Sequence, residues 1–205
     1  RAADHCDHDP DDEDRAQHDQ QPQEGDREFA AEATPPSDRA TEEAIRRTLA
    51  RARPRDAVLG EEMGAEGWGS RRWVVDPIDG TKNYLRGVPV WATLLALMVD
   101  DDVVAGVVSA PALGRRWWAA RGTGAWTGKS LAAASRCRVS EVATLDRASL
   151  SYSSLWGWEE AGKLDAFLDL MRACWRTRAY GDFWSYMLLA DGAVDRLFTS
   201  VEDAW

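Results

Sequence analysis

The stretch from Trp73 to Asn83 restricts the possible folds more than any other part of the 205-residue chain. It opens with the run Trp73-Val74-Val75, and an apolar, β-branched run of this kind predicts a buried strand. Two acids then bracket Pro77-Ile78, and Gly80-Thr81 follows. Because proline lacks an N–H and fixes its own φ, we predict that the strand ends at Pro77. The chain therefore leaves a buried strand through two carboxylates and a glycine turn.

These residues predict a site for a hard cation beside a site for an anion. Asp76 and Asp79 carry the oxygen ligands that Mg²⁺ prefers in proteins. Gly80 allows the backbone to approach a ligand closely, and the turn after it can present N–H groups to an anion. A second apolar run, 57–60, leads into Glu61-Glu62 and adds a third candidate ligand at a strand end. A surface turn explains each residue alone, but not the combination.

The rest of the chain alternates apolar strands with helical patterns, which predicts an α+β fold. Strands are predicted at 57–62, 72–79, 91–99, 103–109, 116–120, 148–153 and 193–198, and helices from Ser37 to about residue 52, at 159–172 and at 183–190. The consecutive strands from 91 to 120 predict an antiparallel meander, with Asp100-Asp101-Asp102 at a solvated hairpin tip. The glycine-rich loop 64–70 is expected to be mobile and to shield bound metals.

The motif Gly60-Glu61-Glu62, followed by Asp76-Pro77-Ile78-Asp79-Gly80-Thr81, resembles the inositol monophosphatase family of Mg-dependent, lithium-sensitive phosphatases. The similarity extends from about Pro35 to Val194. Four further segments are most similar to the bacterial histidinol-phosphatase branch of that family: Lys82-Asn83-Tyr84, 87–93, 109–113 and 176–184. The resemblance implies a layered α/β/α/β sandwich.

The resemblance also implies which residues bind the metals. Glu61, Asp76 and the Ile78 carbonyl would bind the first of two or three Mg²⁺ ions, with Asp76 bridging to the second. Asp79 would serve that second ion. Independently of the resemblance, a ligand set made only of oxygen atoms favours Mg²⁺ over Zn²⁺.

Catalytic and substrate-binding roles follow from the same resemblance. Thr81, hydrogen-bonded near Glu61, would orient the attacking water, which makes these two residues catalytic together with Asp76. The backbone N–H groups of Gly80 and Thr81, with Asp79 and Lys82 beside them, would contact the substrate phosphate.

Asp38 has two possible roles in the helix that starts near Ser37. We expect Ser37 to cap this helix, and its acids precede its arginines in an order that suits the helix dipole. A modest apolar stripe is expected to face the core, formed by Ala40, Ala44, Ile45 and Leu49. Asp38 either pairs with the dipole or, by resemblance, is the family acid that helps to hold a more weakly bound metal.

Arg178 and Asp182 lie beside a glycine turn between apolar elements, where unpaired charges are costly. They either pair with each other or face the substrate. In the second case Asp182 would bind an organic cation, as histidinol phosphate carries. Arg178 would then anchor the phosphate or orient Asp182.

Composition separates an acidic tail from the rest of the chain. The net charge is −10, and residues 1–30 hold eleven acids and three arginines, which accounts for most of it. Almost no large apolar side chain lies there, so we predict a disordered acidic tail at 1–34 and a phosphatase domain at 35–205. The family's Trp-Asp pair would place its metal-binding Asp after Trp205, so the resemblance implies a domain incomplete at its C-terminal layer.

Several partners and locations are not expected. No basic face suggests a nucleic acid, and no apolar run has the length of a membrane span. Cys6, Cys137 and Cys174 are few and widely spaced, which favours free thiols in a reducing cytoplasm. The family commonly forms dimers, so a homodimer is possible.

Four hypotheses for the function remain open. The first is Mg²⁺-dependent hydrolysis of histidinol phosphate to histidinol and phosphate, in histidine biosynthesis. The second keeps this chemistry but takes inositol monophosphate or a similar small phosphorylated substrate. The third is a catalytically inactive, truncated relative. The fourth, that the acidic tail is an interaction module, predicts partner binding that depends on residues 1–30.

Overall fold

The computed structural model describes residues 35–198, and the predictions for the tail and for the end of the chain lie outside this range. Five helices are present in it: α1 (Pro36–Ala52), α2 (Thr81–Leu85), α3 (Trp156–Glu160), α4 (Leu164–Ala173) and α5 (Asp182–Ala190). The strands are β1 (Ala57–Gly60), β2 (Gly64–Glu66), β3 (Arg71–Asp79), β4 (Ala92–Val99), β5 (Asp102–Ala110), β6 (Arg115–Ala120), β7 (Gly124–Gly128), β8 (Ala134–Arg136), β9 (Ser149–Tyr152), β10 (Arg176–Ala179) and β11 (Arg196–Phe198).

The larger sheet has eight strands in the order β2-β1-β3-β4-β5-β6-β7-β8. Neighbouring strands are antiparallel except β1 and β3, which run parallel. The predicted meander is confirmed from β4 to β6, with exposed Asp100 and Asp101 in the turn between β4 and β5. The strands β7 and β8 extend it further than predicted, because their glycine and alanine residues give a weak strand signal.

The smaller sheet has the order β10-β9-β11, and both pairs of strands are parallel. Sequence patterning predicts β9 and β11 but not β10. The missed strand is largely exposed and carries two arginines, which is typical of a sheet edge.

Helix α5 lies between the two sheets. Phe183 packs in a core cluster with Trp117 of the larger sheet, while Ser185 Oγ lies 2.8 Å from Ser151 Oγ of β9. Trp117 is buried and its neighbour Trp118 only partly, as expected for adjacent residues that point to opposite faces of a strand.

The other helices cover the outer faces. Tyr152 points away from α5, and its ring meets Phe167 of α4 edge-on at 5.5 Å. On the larger sheet, α1 packs against Gly60, whereas Asp76 lies with α5 residues along a cavity on the opposite face. The predicted α/β/α/β layering is therefore confirmed, with α4 as a further layer.

Helix α1 differs from its prediction at its start and on its buried face. It begins at Pro36 after Pro35, so Ser37 does not cap it and instead donates a hydrogen bond from its hydroxyl to Asp38. The buried residues of α1 are charged: Asp38, Glu42 and Arg46. In the predicted apolar stripe, Ala40 and Ala44 are exposed and Ile45 and Leu49 are only partly buried, because α1 turns its three charges inward instead.

Pro77 does not end β3, which continues to Asp79. The register of β3 against β4 shifts between Asp76 and Asp79, so Pro77 lies in a bulge where the ladder needs no N–H. Its carbonyl oxygen accepts a hydrogen bond from the Thr93 hydroxyl at 2.9 Å. Asp76 and Asp79 are three residues apart but oppose Leu94 and Ala92, which are two apart, so the bulge changes which face each aspartate takes relative to the other.

Two further predictions are wrong in part. The predicted helix 159–172 is two helices, since Gly162 has a left-handed φ of 64° between α3 and α4. The loop after β2 does not shield the site, because Gly67 lies against Ala57 at the start of β1, the end of the sheet away from Asp76. The turn 61–63 is the part of this hairpin that lies at the site.

Both cysteines in the described range are free thiols, as predicted. Burial raises the pKa of Cys137 to about 11, with the nearby Asp191 carboxylate acting in the same direction. Cys6 lies outside the described residues. Among residues 35–198, the longest helix has 17 residues, and none has the length and apolarity of a transmembrane span.

Candidate active site

The parallel pairing of β1 with β3 brings two strand ends together. Gly60 lies level with Val75, and the Glu61 N–H donates to the Val75 carbonyl oxygen at 3.1 Å. Glu61 therefore follows β1 at the point where Asp76 follows Val75 on β3. The two candidate metal ligands, separated by fourteen residues of chain, become neighbours.

Asp76 carries a buried oxygen that lacks a partner. Its Oδ1 has no hydrogen bond to any described residue. Burial raises the pKa of Asp76 well above its ordinary value, and the charges of Glu61 and Asp79 raise it further, as does a hydrogen bond with Glu61. A buried carboxylate among other carboxylates is costly unless a positive charge compensates it.

Asp79 connects the end of β3 to the start of α5. Its Oδ2 accepts the Phe183 N–H at 2.5 Å. Burial raises the pKa of Asp79 to about 6, the N–H groups of Phe183 and Gly80 act against this, and the charges of Asp182 and Glu61 add to it. The backbone N–H groups of Phe183 and Gly80 therefore bind the Asp79 carboxylate, while the carboxylates of Asp182 and Glu61 repel it.

Thr81 and Asp38 meet across the site from different elements. The Thr81 hydroxyl lies 2.9 Å from the Ile78 carbonyl oxygen and 3.4 Å from Asp38 Oδ2. Its partners are thus Asp38 and the Ile78 carbonyl, and the prediction that Thr81 lies near Glu61 stays a prediction. Burial raises the pKa of Asp38, and the charge of Glu62 adds to this, whereas the hydrogen bonds from Ser37 and Thr81 lower it.

This contact places Asp38 beside the candidate site. The residue is only 2% exposed and is hydrogen-bonded to Thr81, while it also lies in the first turn of α1. Both roles considered for Asp38, the partner of the helix dipole and the ligand of a weakly bound metal, stay predictions.

The donor set fits a hard divalent cation. The unpartnered oxygen of Asp76 and the repulsion among Glu61, Asp76 and Asp79 are both relieved by positive charge between them. The ligands on offer are carboxylate and carbonyl oxygens, which Mg²⁺ prefers. Within residues 35–198, no three His, Cys, Asp or Glu side chains already converge as ligands of one ion. A bound cation lets mutually repelling carboxylates converge, and the Ile78 carbonyl is a backbone ligand outside such a set of side chains.

Asp182 lies over the glycine turn and is held there by Asn83. Asn83 Nδ2 donates to Asp182 Oδ2 at 3.2 Å and to the Val90 carbonyl oxygen at 3.0 Å. A Cβ on Gly80 would lie 3.3 Å from Asp182 Oδ2, and Gly80 itself has a left-handed φ of 82°. Asp182 has a φ of 45°, which is uncommon for a residue other than glycine and typical of functional sites.

The side chains of Arg178 and Lys82 are exposed. Arg178 is exposed on the edge strand β10, and its Nη1 donates to the Thr177 carbonyl oxygen at 2.7 Å. The pairing of Arg178 with Asp182 that we considered is not present. Lys82 is exposed on α2, one turn from Asp79.

Sequence reasoning missed three residues that shape the site: Asn83, Glu42 and Arg46. Asn83 stands in a segment that carries the family resemblance, but its side chain was given no role. A signal for the other two was present, because Asp38, Glu42 and Arg46 recur every four residues and so share one helix face.

Comparison with known proteins confirms the family. The sequence model of the inositol monophosphatase family matches residues 12–205, which begins well before the stretch on which we based the resemblance. The chain belongs to the inositol monophosphatase family.

Similar proteins agree with the branch and with the fold. The chain is 65% identical over 163 residues to a histidinol-phosphatase of Streptomyces coelicolor, covering 78% of this chain and 61% of that protein. It is 58% identical over 160 residues to a histidinol-phosphatase of Mycobacterium tuberculosis, covering 78% and 62%. The crystal structure of the extragenic suppressor protein SuhB from Bartonella henselae matches with a TM-score of 0.71 and 30% identity, covering 79% and 62%. The chain thus spans about three fifths of the length of these relatives.

Proposed function

We propose that this chain is an Mg²⁺-dependent phosphomonoesterase, or the larger part of one, that hydrolyses histidinol phosphate to histidinol and phosphate in histidine biosynthesis. The observation that carries the proposal is the group formed by Glu61, Asp76 and Asp79 at the glycine turn, where the half-buried Asp76 and Asp79 and the exposed Glu61 raise one another's electrostatic cost. The identity to two histidinol-phosphatases supports the choice of substrate.

The proposed metal ligands are Glu61, Asp76, the Ile78 carbonyl and Asp79, with Asp38 contributing to a more weakly bound ion. When bound, Mg²⁺ supplies the positive charge that makes attack on a phosphate dianion feasible at neutral pH. Two ions, or three, are consistent with this number of oxygen donors.

Thr81 is the residue that orients the attacking water. Its hydroxyl proton can point to the Ile78 carbonyl oxygen or to Asp38 Oδ2, which leaves a lone pair to accept a hydrogen bond from the water. The raised pKa of Asp38 makes its carboxylate a better proton acceptor near neutral pH. The water oxygen forms the new bond to phosphorus and passes a proton through the Thr81 hydroxyl to Asp38. The bond from phosphorus to the histidinol oxygen breaks, and that oxygen takes a proton from solvent to give histidinol.

The substrate is bound at the turn between β3 and α2. The N–H groups of Gly80 and Thr81, with Lys82 beside them, contact the phosphate. The Asp182 carboxylate, fixed by Asn83 above Gly80, binds the cationic end of the substrate. Inositol monophosphate carries no cation, so a carboxylate at this point offers it only hydrogen bonds. Arg178 has a smaller role in this proposal, because its guanidinium is exposed and contacts its own strand.

The test is Mg²⁺-dependent phosphate release from histidinol phosphate, with inositol 1-phosphate in parallel. The matched variants are Asp76→Asn and Asp101→Asn. Asp76 lies among the candidate metal ligands Glu61, Asp76 and Asp79, whereas Asp101 lies in the exposed turn after β4. We expect release from histidinol phosphate by the wild type and by D101N, and a loss of at least about 100-fold in D76N, as for removal of a group that stabilises the transition state.

Each other result selects a different hypothesis. Faster release from inositol 1-phosphate would favour the second candidate substrate. Release from neither ester by a folded protein would favour an inactive relative. A homodimer and a cytoplasmic location stay predictions, which light scattering and cell fractionation would check.

A further inference from the structure

The buried face of α1 carries a charged pair that contacts the metal-ligand turn. Glu42 is 0% exposed and Arg46 is 7% exposed, and Arg46 Nε donates to Glu42 Oε1 at 2.7 Å. The second carboxylate oxygen of Glu42 accepts the Glu62 N–H at 2.8 Å. Both oxygens of this buried carboxylate are therefore used, one by the arginine and one by the backbone of the turn.

Arg46 holds the other side of the same turn. Its Nη2 donates to the Gly64 carbonyl oxygen at 2.5 Å, and its Nη1 lies 3.1 Å from Glu66 Oε2 on β2. The pair thus contacts the chain on both sides of the turn 61–63.

Gly60 leaves the space that the Glu42 carboxylate fills. A Cβ built on Gly60 would lie 1.9 Å from Glu42 Oε1 and 2.5 Å from Oε2. Its backbone does not lie in the left-handed region, so glycine is required here for space and not for conformation. The glycine of the Gly60-Glu61-Glu62 motif is therefore explained by a carboxylate eighteen residues earlier in the chain.

These contacts affect the position of Glu61, because its own side chain is exposed and packing does little to fix it. Two backbone hydrogen bonds fix its position. Its N–H donates to Val75, and the next N–H, of Glu62, donates to Glu42. The first bond sets the distance of Glu61 from β3, and the second prevents the peptide after it from rotating.

We infer that the Glu42–Arg46 pair is a positioning device for Glu61 and sets the affinity of the site for Mg²⁺. The inference rests on the proposed metal site. Stability alone does not require charges here, because buried ion pairs are often replaced by apolar side chains at no cost. What an apolar pair cannot supply is an acceptor for the Glu62 N–H.

Two double variants separate this role from packing. In E42Q/R46M the charges are removed, but the glutamine oxygen can still accept the Glu62 N–H. In E42M/R46M the volume is similar and the acceptor is lost. The matched control is E43M/R47M, which removes an exposed pair on the same helix, where Arg47 Nη1 lies 3.6 Å from Glu43 Oε2.

The readout is the association constant for MgCl₂ by isothermal titration calorimetry, with no substrate present and well below the melting temperature of each variant. We expect E42M/R46M to bind about 10- to 100-fold more weakly than the wild type, as for loss of an outer partner of a metal ligand. E42Q/R46M should recover most of this affinity, and E43M/R47M should match the wild type.

The outcomes distinguish this inference from the proposal beneath it. If the wild type binds no Mg²⁺, both the proposed metal site and the positioning role of the Glu42–Arg46 pair are refuted. If the wild type binds Mg²⁺ and E42M/R46M binds it equally well, only the positioning role falls. Should E42M/R46M not fold, amide hydrogen exchange of the wild type decides. A protected Glu62 N–H supports the inference, and an N–H that exchanges as fast as an exposed turn overturns it.

Discussion

Replacing Asp79 by asparagine should stabilise the metal-free protein at neutral pH and destabilise it in Mg²⁺. Burial raises the pKa of Asp79 from 3.8 to about 6. Because the folded-state pKa lies above the value of the unfolded chain, ionisation opposes folding. The stability that Asp79 contributes in its protonated form is complete below about pH 4 and is lost as the pH rises through about 6.

The size of the effect follows from the same values. A shift of about two pKa units corresponds to about 3 kcal/mol. Asparagine offers one acceptor oxygen in place of two to the Phe183 and Gly80 N–H groups, which costs about 1 kcal/mol. The net gain of about 2 kcal/mol at pH 8 should raise the melting temperature by about 4–8 °C in a protein of this size.

The assay is thermal unfolding followed by circular dichroism at pH 4.5, 6 and 8, in EDTA and in MgCl₂. In EDTA the gain of D79N over the wild type should be absent at pH 4.5 and complete at pH 8. In MgCl₂ the order should reverse, because only the wild type retains all the proposed Mg²⁺ ligands. Asp101→Asn, in an exposed turn, should change neither curve. A gain equal at all three pH values, or a loss at pH 8 in EDTA, would refute the argument that burial destabilises this carboxylate.

Three further predictions concern the same site. The apparent affinity for Mg²⁺ should rise between pH 5 and 8, since Asp76 and Asp79 must release protons to bind it. Calorimetry in two buffers of different ionisation enthalpy would detect these protons. A pH-independent affinity would contradict the raised pKa values. Thr81→Val should lower kcat by about 100-fold or more with little change in Mg²⁺ affinity, because it removes only the hydroxyl that we propose orients the attacking water. An unchanged kcat would exclude that role. Asp182→Asn should raise the KM for histidinol phosphate by about 10-fold and leave inositol 1-phosphate hydrolysis unaffected. Asn83→Ala should have the same effect to a smaller degree. Equal effects on both esters would mean that Asp182 does not bind the cationic end of the substrate.

Local pattern predicted the strands of the meander well, because alternating or continuous apolar residues report directly which faces are buried. The same reasoning failed for α1. Its apolar stripe is weak, and the charges that actually face the sheet are buried only because each meets a specific partner. Glu42, for example, meets Arg46 and the backbone of Glu62. The four-residue spacing of Asp38, Glu42 and Arg46 places these charges on one helix face, but the backbone partner at Glu62 lies far along the chain and leaves no local signal.

Pro77 shows a second kind of limit. The residue removes an N–H, which correctly marks an irregular point, but the irregularity is a bulge inside β3 and not its end. Whether a strand stops or bulges depends on the neighbouring strand, here β4, and is not encoded in the dipeptide itself.

The sequence by itself determined the chemistry of the site. The acids, the glycine turn and the threonine follow one another within a few residues, so their types and spacing are visible without a fold, and they identify the family. Tertiary structure decided which of these groups meet. The parallel pairing of β1 with β3 sets Glu61 beside Asp76, and α5 returns across about a hundred residues to donate the Phe183 N–H to Asp79. Contacts of this kind depend on how distant segments pack and satisfy their buried polar groups, which no local pattern records.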